Sequence, residues 1–134
     1  MIRWSARALV ALGILHLLVL GLDARGEISG WLGLTQWTLA HWQPFADQPR
    51  ELAASGAAFW STIGSFAIPS ILLGCLILHL DAHSQAVPAF VGWGLLAWFA
   101  VCALLVEPSG FPAGLPVAAA LLAGIRRQAR SGTS

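Results

Sequence analysis

Four apolar runs, three of them as long as a bilayer-crossing helix, take up most of this chain and leave it few ways to fold. They are Trp4–Leu22 (WSARALVALGILHLLVLGL), roughly Ala53–Leu80, Val87–Val106, and a shorter stretch from Ser109 to Arg126. About 20 apolar residues cross the hydrocarbon core of a membrane. Only 10% of the 134 residues are charged and 57% are hydrophobic. A soluble domain carries about a quarter charged residues. A chain so composed cannot cover a water-facing surface with polar groups, so lipid is its natural solvent. The expectation is an all-α, polytopic membrane protein, one domain over residues 1–134, with four transmembrane helices in one bundle at about 4–22, 53–80, 87–106 and 109–126.

Orientation follows from the arginines, because cytoplasmic flanks carry the excess of positive residues. Arg3 and Arg7 open the first run, and Arg126, Arg127 and Arg130 close the fourth. Both ends are then cytoplasmic, which requires an even number of spans. The segment after the first run balances Arg25 and Arg50 with Asp23, Glu27, Asp47 and Glu51, which suits the outer face. A secretory signal would need a small-residue cleavage site. The "LDA" that ends the first run is a poor one, so that run is read as a retained helix in the cell membrane. No basic run with interleaved aromatics exists, which excludes a nucleic-acid partner.

Residues 23–52 form a long first loop rich in tryptophan: Trp31, Trp37 and Trp42. Tryptophan settles at the membrane–water interface, with its ring buried and its N–H wet. A short interfacial helix lying over the outer end of the bundle is expected here, with residues 31–43 as an anchor or a lid. Pro69 lies in the middle of the second run and should kink it by removing one helical hydrogen bond. Ser109 is a good N-cap for the fourth helix, and Pro112 is tolerated in its first turn.

Polar residues inside the runs are few, and such residues tend to face the bundle interior and carry function. His16 shares a helical face with Gly13 and Asp23. Glu107 ends the third run on a face with Leu96, Ala100 and Ala103, and small residues such as these alanines mark packing between membrane helices. Lost hydration there would raise the carboxyl's pKa. Ser61, Ser65, Cys75 and His79 form a stripe on the second run. By depth, the outer half of the bundle can hold His16, Ser61, Ser65 and Glu107 together, with Trp60 and Trp98 as apolar walls. These six residues form the expected ligand site.

Other chemistries fare worse. His79 and His16 differ in depth by roughly 15 Å, too far for two axial ligands of one haem. In "HLDAH" a continued helix would put His79 and His83 on one face, as metal ligands can be, but Asp81 would point elsewhere. No metal and no cofactor is expected. Cys75 and Cys102 differ in depth by roughly 14 Å, beyond the ~7 Å that a disulfide spans, so both should be free thiols.

The segments "GILH", "FWSTIGSFAIPSILLG" and "GWGLLAWFAVCALLVEPSGFPAGLP" resemble a bacterial family of small four-helix integral membrane proteins, catalogued as a domain of unknown function. The matching positions are Gly13 and His16, Phe59 and Trp60, and the turn Pro108, Ser109, Gly110 and Phe111, where Pro108 directly precedes Ser109 instead of standing one residue earlier. The resemblance implies the four-helix topology and no activity, substrate or cofactor.

Three functions are compatible with these residues. The first is a membrane protein whose pocket, on the outer-leaflet side, binds an apolar small molecule or lipid. The second is a membrane-embedded isomerase or cyclase on an isoprenoid or lipid, with His16 and Glu107 as the acid–base pair. The third is an accessory subunit that docks on a larger membrane protein through small residues such as Gly92 and Gly94. A proton-coupled exporter fits less well, since the first helix carries only His16 where such proteins place a carboxylate.

Overall fold

The computed structural model describes residues 1–106 and 109–131. These residues form six α-helices and two single 3₁₀ turns, with no strand among them. The helices are α1 (Ile2–Ala24), α2 (Ile28–Leu32), α3 (Arg50–Ser61), α4 (Ala67–Ala82), α5 (Ala89–Leu105) and α6 (Phe111–Ser131), and the 3₁₀ turns are Leu39–Trp42 and Phe45–Asp47. Among the described residues only α1 is long and apolar enough to cross a membrane. The apolar helices α4 and α5 are shorter, at 16 and 17 residues.

The chain divides into two compact units. One comprises Met1–Leu12 and Pro69–Ser134, the other Gly13–Ile68. The first unit packs the opening turns of α1 with α4, α5 and α6. Leu9, Ile77 and Leu121 are its fully buried large side chains, joined by Ala6, Leu95, Phe99, Ala118 and Ile125. Each of α1, α4, α5 and α6 supplies part of this core, so no pair of them closes it alone.

Small residues set how closely these helices approach. A β-carbon added at Gly74 would lie 2.6 Å from a Val10 methyl and 2.9 Å from the Ala6 carbonyl oxygen. The contact on α1 includes backbone, which cannot step aside as a flexible side chain can. A β-carbon at Gly114 would sit 2.3 Å from the Phe99 ring, so that ring lies directly on the α6 backbone. Gly92 is likewise occupied, with Leu122 at 3.1 Å, whereas nothing approaches Gly94 within 4 Å.

The apolar run expected as one helix over 53–80 is two helices, and the break falls at residues 62–66 instead of at Pro69. Pro69 is the third residue of α4, where a backbone N–H has no intrahelical partner and its loss costs nothing. The proline ring would clash with the carbonyl of Ser65 if the helix continued backward. The chain therefore starts a new helix just before it, and the Ser65 hydroxyl accepts from the Ala67 N–H at 3.2 Å. At its other end α4 stops through a left-handed Ser84 (φ 56°), with the Gln85 N–H donating back to the Leu80 carbonyl at 2.8 Å. This is the Schellman closure of a helix. The fourth expected helix begins two residues later than the Ser109 cap would place it, and the Ser109 hydroxyl is buried without a hydrogen-bond partner among the described residues.

Two outcomes follow from this packing. Gly74→Ala should lower the stability of the folded chain by about 1–3 kcal/mol, the usual range for overpacking, read as a fall in thermal midpoint by circular dichroism. Gly94→Ala, placed in open space inside α5, should hold or raise that midpoint. Cys75 and Cys102 are both free thiols, so alkylation of denatured, unreduced protein should tag both, and an untagged pair would refute the assignment.

Candidate functional site

The end of α3 is where polar side chains gather in the unit Gly13–Ile68. A helix leaves its last carbonyls without intrahelical donors, and here side chains supply them. Ser61 Oγ donates to the Ala58 carbonyl at 3.1 Å, and Thr62 Oγ1 donates to the same oxygen at 2.7 Å. The Phe59 carbonyl takes the N–H groups of Thr62 and Gly64 at 3.1 and 2.9 Å. His16, reaching across from α1, donates its Nε2–H to the Ser61 carbonyl at 3.0 Å. Because a carbonyl can only accept, this bond fixes the proton on Nε2.

His16 and Ser61 are thus brought together, as a backbone bond between two helices. Ser65 is spent at the start of α4. Trp60 stands in the last turn of α3, next to this cluster. Trp98 belongs to the other unit, where it packs edge-to-face on Phe99 and Phe111 with ring centres 5.1 and 5.2 Å away. Glu107 lies outside the described residues.

A cavity of about 450 Å³ opens beside Trp60. Its walls are the rings of Trp31, Trp37, Trp42, Phe59 and Trp60, and its only polar lining residues are Gln36 and His41. Trp31, in α2, donates its indole N–H to the hydroxyl of buried Ser55 in α3 at 3.0 Å. That bond lays the indole edge-on against Phe59, ring centres 5.7 Å apart. Phe59 meets Trp60 in the same edge-to-face manner at 5.5 Å. This is the arrangement that aromatic quadrupoles favour.

The second wall comes from the loop. Leu34 adopts a left-handed conformation (φ 60°) and the Thr35 N–H bonds back to the Gly30 carbonyl at 3.0 Å, which turns the chain after α2. The Thr38 hydroxyl accepts from the Ala40 N–H at 3.3 Å and starts the 3₁₀ turn that carries His41 and Trp42. The Gln48 amide then donates to the carbonyls of both His41 and Gln43, at 3.2 and 3.0 Å, and ties the loop into a fixed curve. The His41 ring and the Gln36 amide lie over Gly56 of α3, at 3.6 and 3.8 Å from where a β-carbon would stand.

Sequence reasoning singled out Trp60 and the three loop tryptophans, but missed Gln36, His41, Phe59 as a wall, and the small residues Ser55 and Gly56 that seat Trp31, His41 and Gln36. The available signal was the small-residue stretch AASGAA of α3, which leaves room for large rings from elsewhere. In the other unit, His79 and His83 stack with ring centres 4.2 Å apart, and His83 Nδ1–H donates to the His79 carbonyl at 2.8 Å. No group of three or more candidate metal ligands occurs among the described residues.

The role of His16 is open to direct test. His16→Ala should leave the Ser61 carbonyl without its donor and cost about 0.5–1.5 kcal/mol. His16→Gln, which keeps an N–H at similar reach, should recover part of it. Hydrogen exchange at residues 62–65, faster in the alanine variant and partly restored in the glutamine one, checks the assignment.

No curated protein and no solved structure matches the chain. A family model matches residues 1–128, every helix but the last turns of α6, and with it the His16, Phe59 and Trp60 motifs that suggested an uncharacterised family. The chain belongs to the family of unknown function DUF6463.

Proposed function

We propose that this chain is a small integral membrane protein that binds an apolar small molecule or lipid in the aromatic cavity of Trp31, Trp37, Trp42, Phe59 and Trp60. It crosses the bilayer four times, with both ends cytoplasmic, and the tryptophan-rich segment after α1 lies at the outer leaflet. The observation that carries the reading is the cavity's composition: five aromatic rings and two polar residues, Gln36 and His41. An apolar lining with a few convergent polar groups is what ligand sites have in common. The rings also have surface to give, since Trp37, Trp42 and Trp60 are 83%, 87% and 69% exposed.

Membrane residence is supported by where apolar surface lies. A buried core helix of a soluble protein would hide its side chains, but only 22% of the most apolar window of α1 is buried. Leu18, Leu22, Leu72, Phe90 and Leu104 are all more than half exposed. Apolar exposure on this scale marks surface that meets lipid or another protein. Six-helix accounting is consistent with four crossings if the broken pair α3–α4 serves as one of them.

Binding is favoured over catalysis because the histidine proposed for acid–base work is occupied. His16 holds the end of α3 through its Nε2–H and does not line the cavity. The accessory-subunit reading loses Gly92, which is used inside the protein, and keeps only Gly94.

Native mass spectrometry of the full chain, released gently from membrane-mimicking discs, tests the proposal. A stoichiometric small molecule or lipid should be retained, and Trp42→Ala or Trp60→Ala should each weaken it. Burial of one large aromatic contributes about 1.5–3 kcal/mol, or roughly ten- to a hundredfold in affinity. His16→Gln should keep the ligand. An empty spectrum, or a ligand indifferent to both tryptophans, would overturn the proposal.

A further inference from the structure

A second cavity, of about 640 Å³, lies in the unit Met1–Leu12 with Pro69–Ser134, and its chemistry is unlike the first. Arg3 and Arg7 line it from the first turns of α1, Arg127 from α6, and Asp81 from the end of α4, with Trp4 at its side. Three arginines against one carboxylate leave a net charge of +2 among these side chains. Asp81 is engaged by Arg3, whose Nε–H donates to its carboxylate. That is the one ion pair formed by the lining arginines among the described residues.

Arg7 stacks over the Trp4 ring, 5.5 Å from its centre. The stacking holds the guanidinium plane in place without neutralising it, because a cation on an aromatic face keeps its charge. Arg127 brings a second guanidinium to the lining, from α6. The opening turn of α1 adds backbone N–H groups that have no intrahelical acceptor and a positive helix end. Every one of these features favours an anion. Guanidinium forks match the oxygens of phosphate in particular, two N–H groups to two oxygens. Gly124 keeps this space narrow, since a β-carbon there would lie 2.8 Å from Ile2.

We infer that the cavity formed by Arg3, Arg7 and Arg127 is a binding site for a phosphate-bearing anion, with Asp81 as an internal counter-charge that holds Arg3 in place. Two sources carry that chemistry: the phosphodiester headgroup of an anionic phospholipid and a free phosphate. Trp4, 73% exposed beside Arg7, has the amphipathic ring found at headgroup level. Basic pockets at the cytoplasmic ends of membrane helices hold such headgroups.

The test uses the full chain in discs of phosphatidylcholine with and without phosphatidylglycerol, with retained lipid counted by native mass spectrometry. A parallel titration uses inorganic phosphate, followed by phosphorus NMR line broadening. Arg7→Gln and Arg127→Gln should each reduce retention about fivefold, the worth of one basic residue near an anionic surface. Arg126→Gln is the control, because Arg126 stacks on Trp93 at 5.0 Å and does not line the cavity. It should change nothing. Asp81→Asn removes the counter-charge and should tighten binding, a gain that no unfolding defect can mimic.

Phosphatidylglycerol retention that follows this pattern identifies the lipid headgroup as the source. Phosphate broadening that follows it, without lipid preference, identifies a soluble anion. The inference fails if Arg126→Gln weakens binding as much as Arg127→Gln does, if Asp81→Asn weakens it, or if neither probe binds.

Discussion

An interrupted helix must find partners for the carbonyls it abandons, and the architecture of residues 13–68 depends on how α3 meets that requirement at Ser61. In a bilayer each unsatisfied backbone group would cost several kcal/mol. The hydroxyls of Ser61 and Thr62 bend back on Ala58, and His16 caps Ser61 from α1. With the chain turned at this point, Gly64 comes under the preceding rings. A β-carbon there would lie 2.7 Å from Trp60 and 2.9 Å from Phe59. The turn therefore props both rings outward along one side of α3, where the loop tryptophans meet them. Closing the helix end and forming the aromatic wall are one structural event.

Much of the helical layout was legible from hydropathy. Runs read at 4–22, 87–106 and 109–126 became helices at 2–24, 89–105 and 111–131. Long apolar segments bounded by proline and charge leave little latitude. The break in the second run was misplaced because proline was treated as a kink wherever it fell, whereas at the third position of a helix it is harmless. What interrupts the run is a set of hydrogen bonds between Ala58 and Gly64, plus one from a histidine 45 residues away. Apolar periodicity carries no trace of such bonds.

The candidate site was legible only in part, for a related reason. Tryptophans clustered in a loop advertise themselves, and Trp60 stood out at the end of a run. Gln36 and His41 do not, because their significance comes from lying over Gly56, in a helix 15 to 20 residues further along. Helical faces computed within one run cannot show contacts made by a loop. The grouping of Ser61 with His16 was right about proximity, but the atom involved is the serine's carbonyl, not its hydroxyl.

A chain with so few polar side chains cannot afford to leave them idle, and here they serve the backbone before they serve chemistry. Ser55 holds Trp31, Ser65 starts α4, Thr38 starts a 3₁₀ turn, Gln48 curves the loop, and His16 ends α3. All but the Ser65 bond fix the position of an aromatic ring or of the segment that carries it. Rings held in advance lose little freedom when a ligand arrives, and preorganisation of this kind raises affinity without adding a contact.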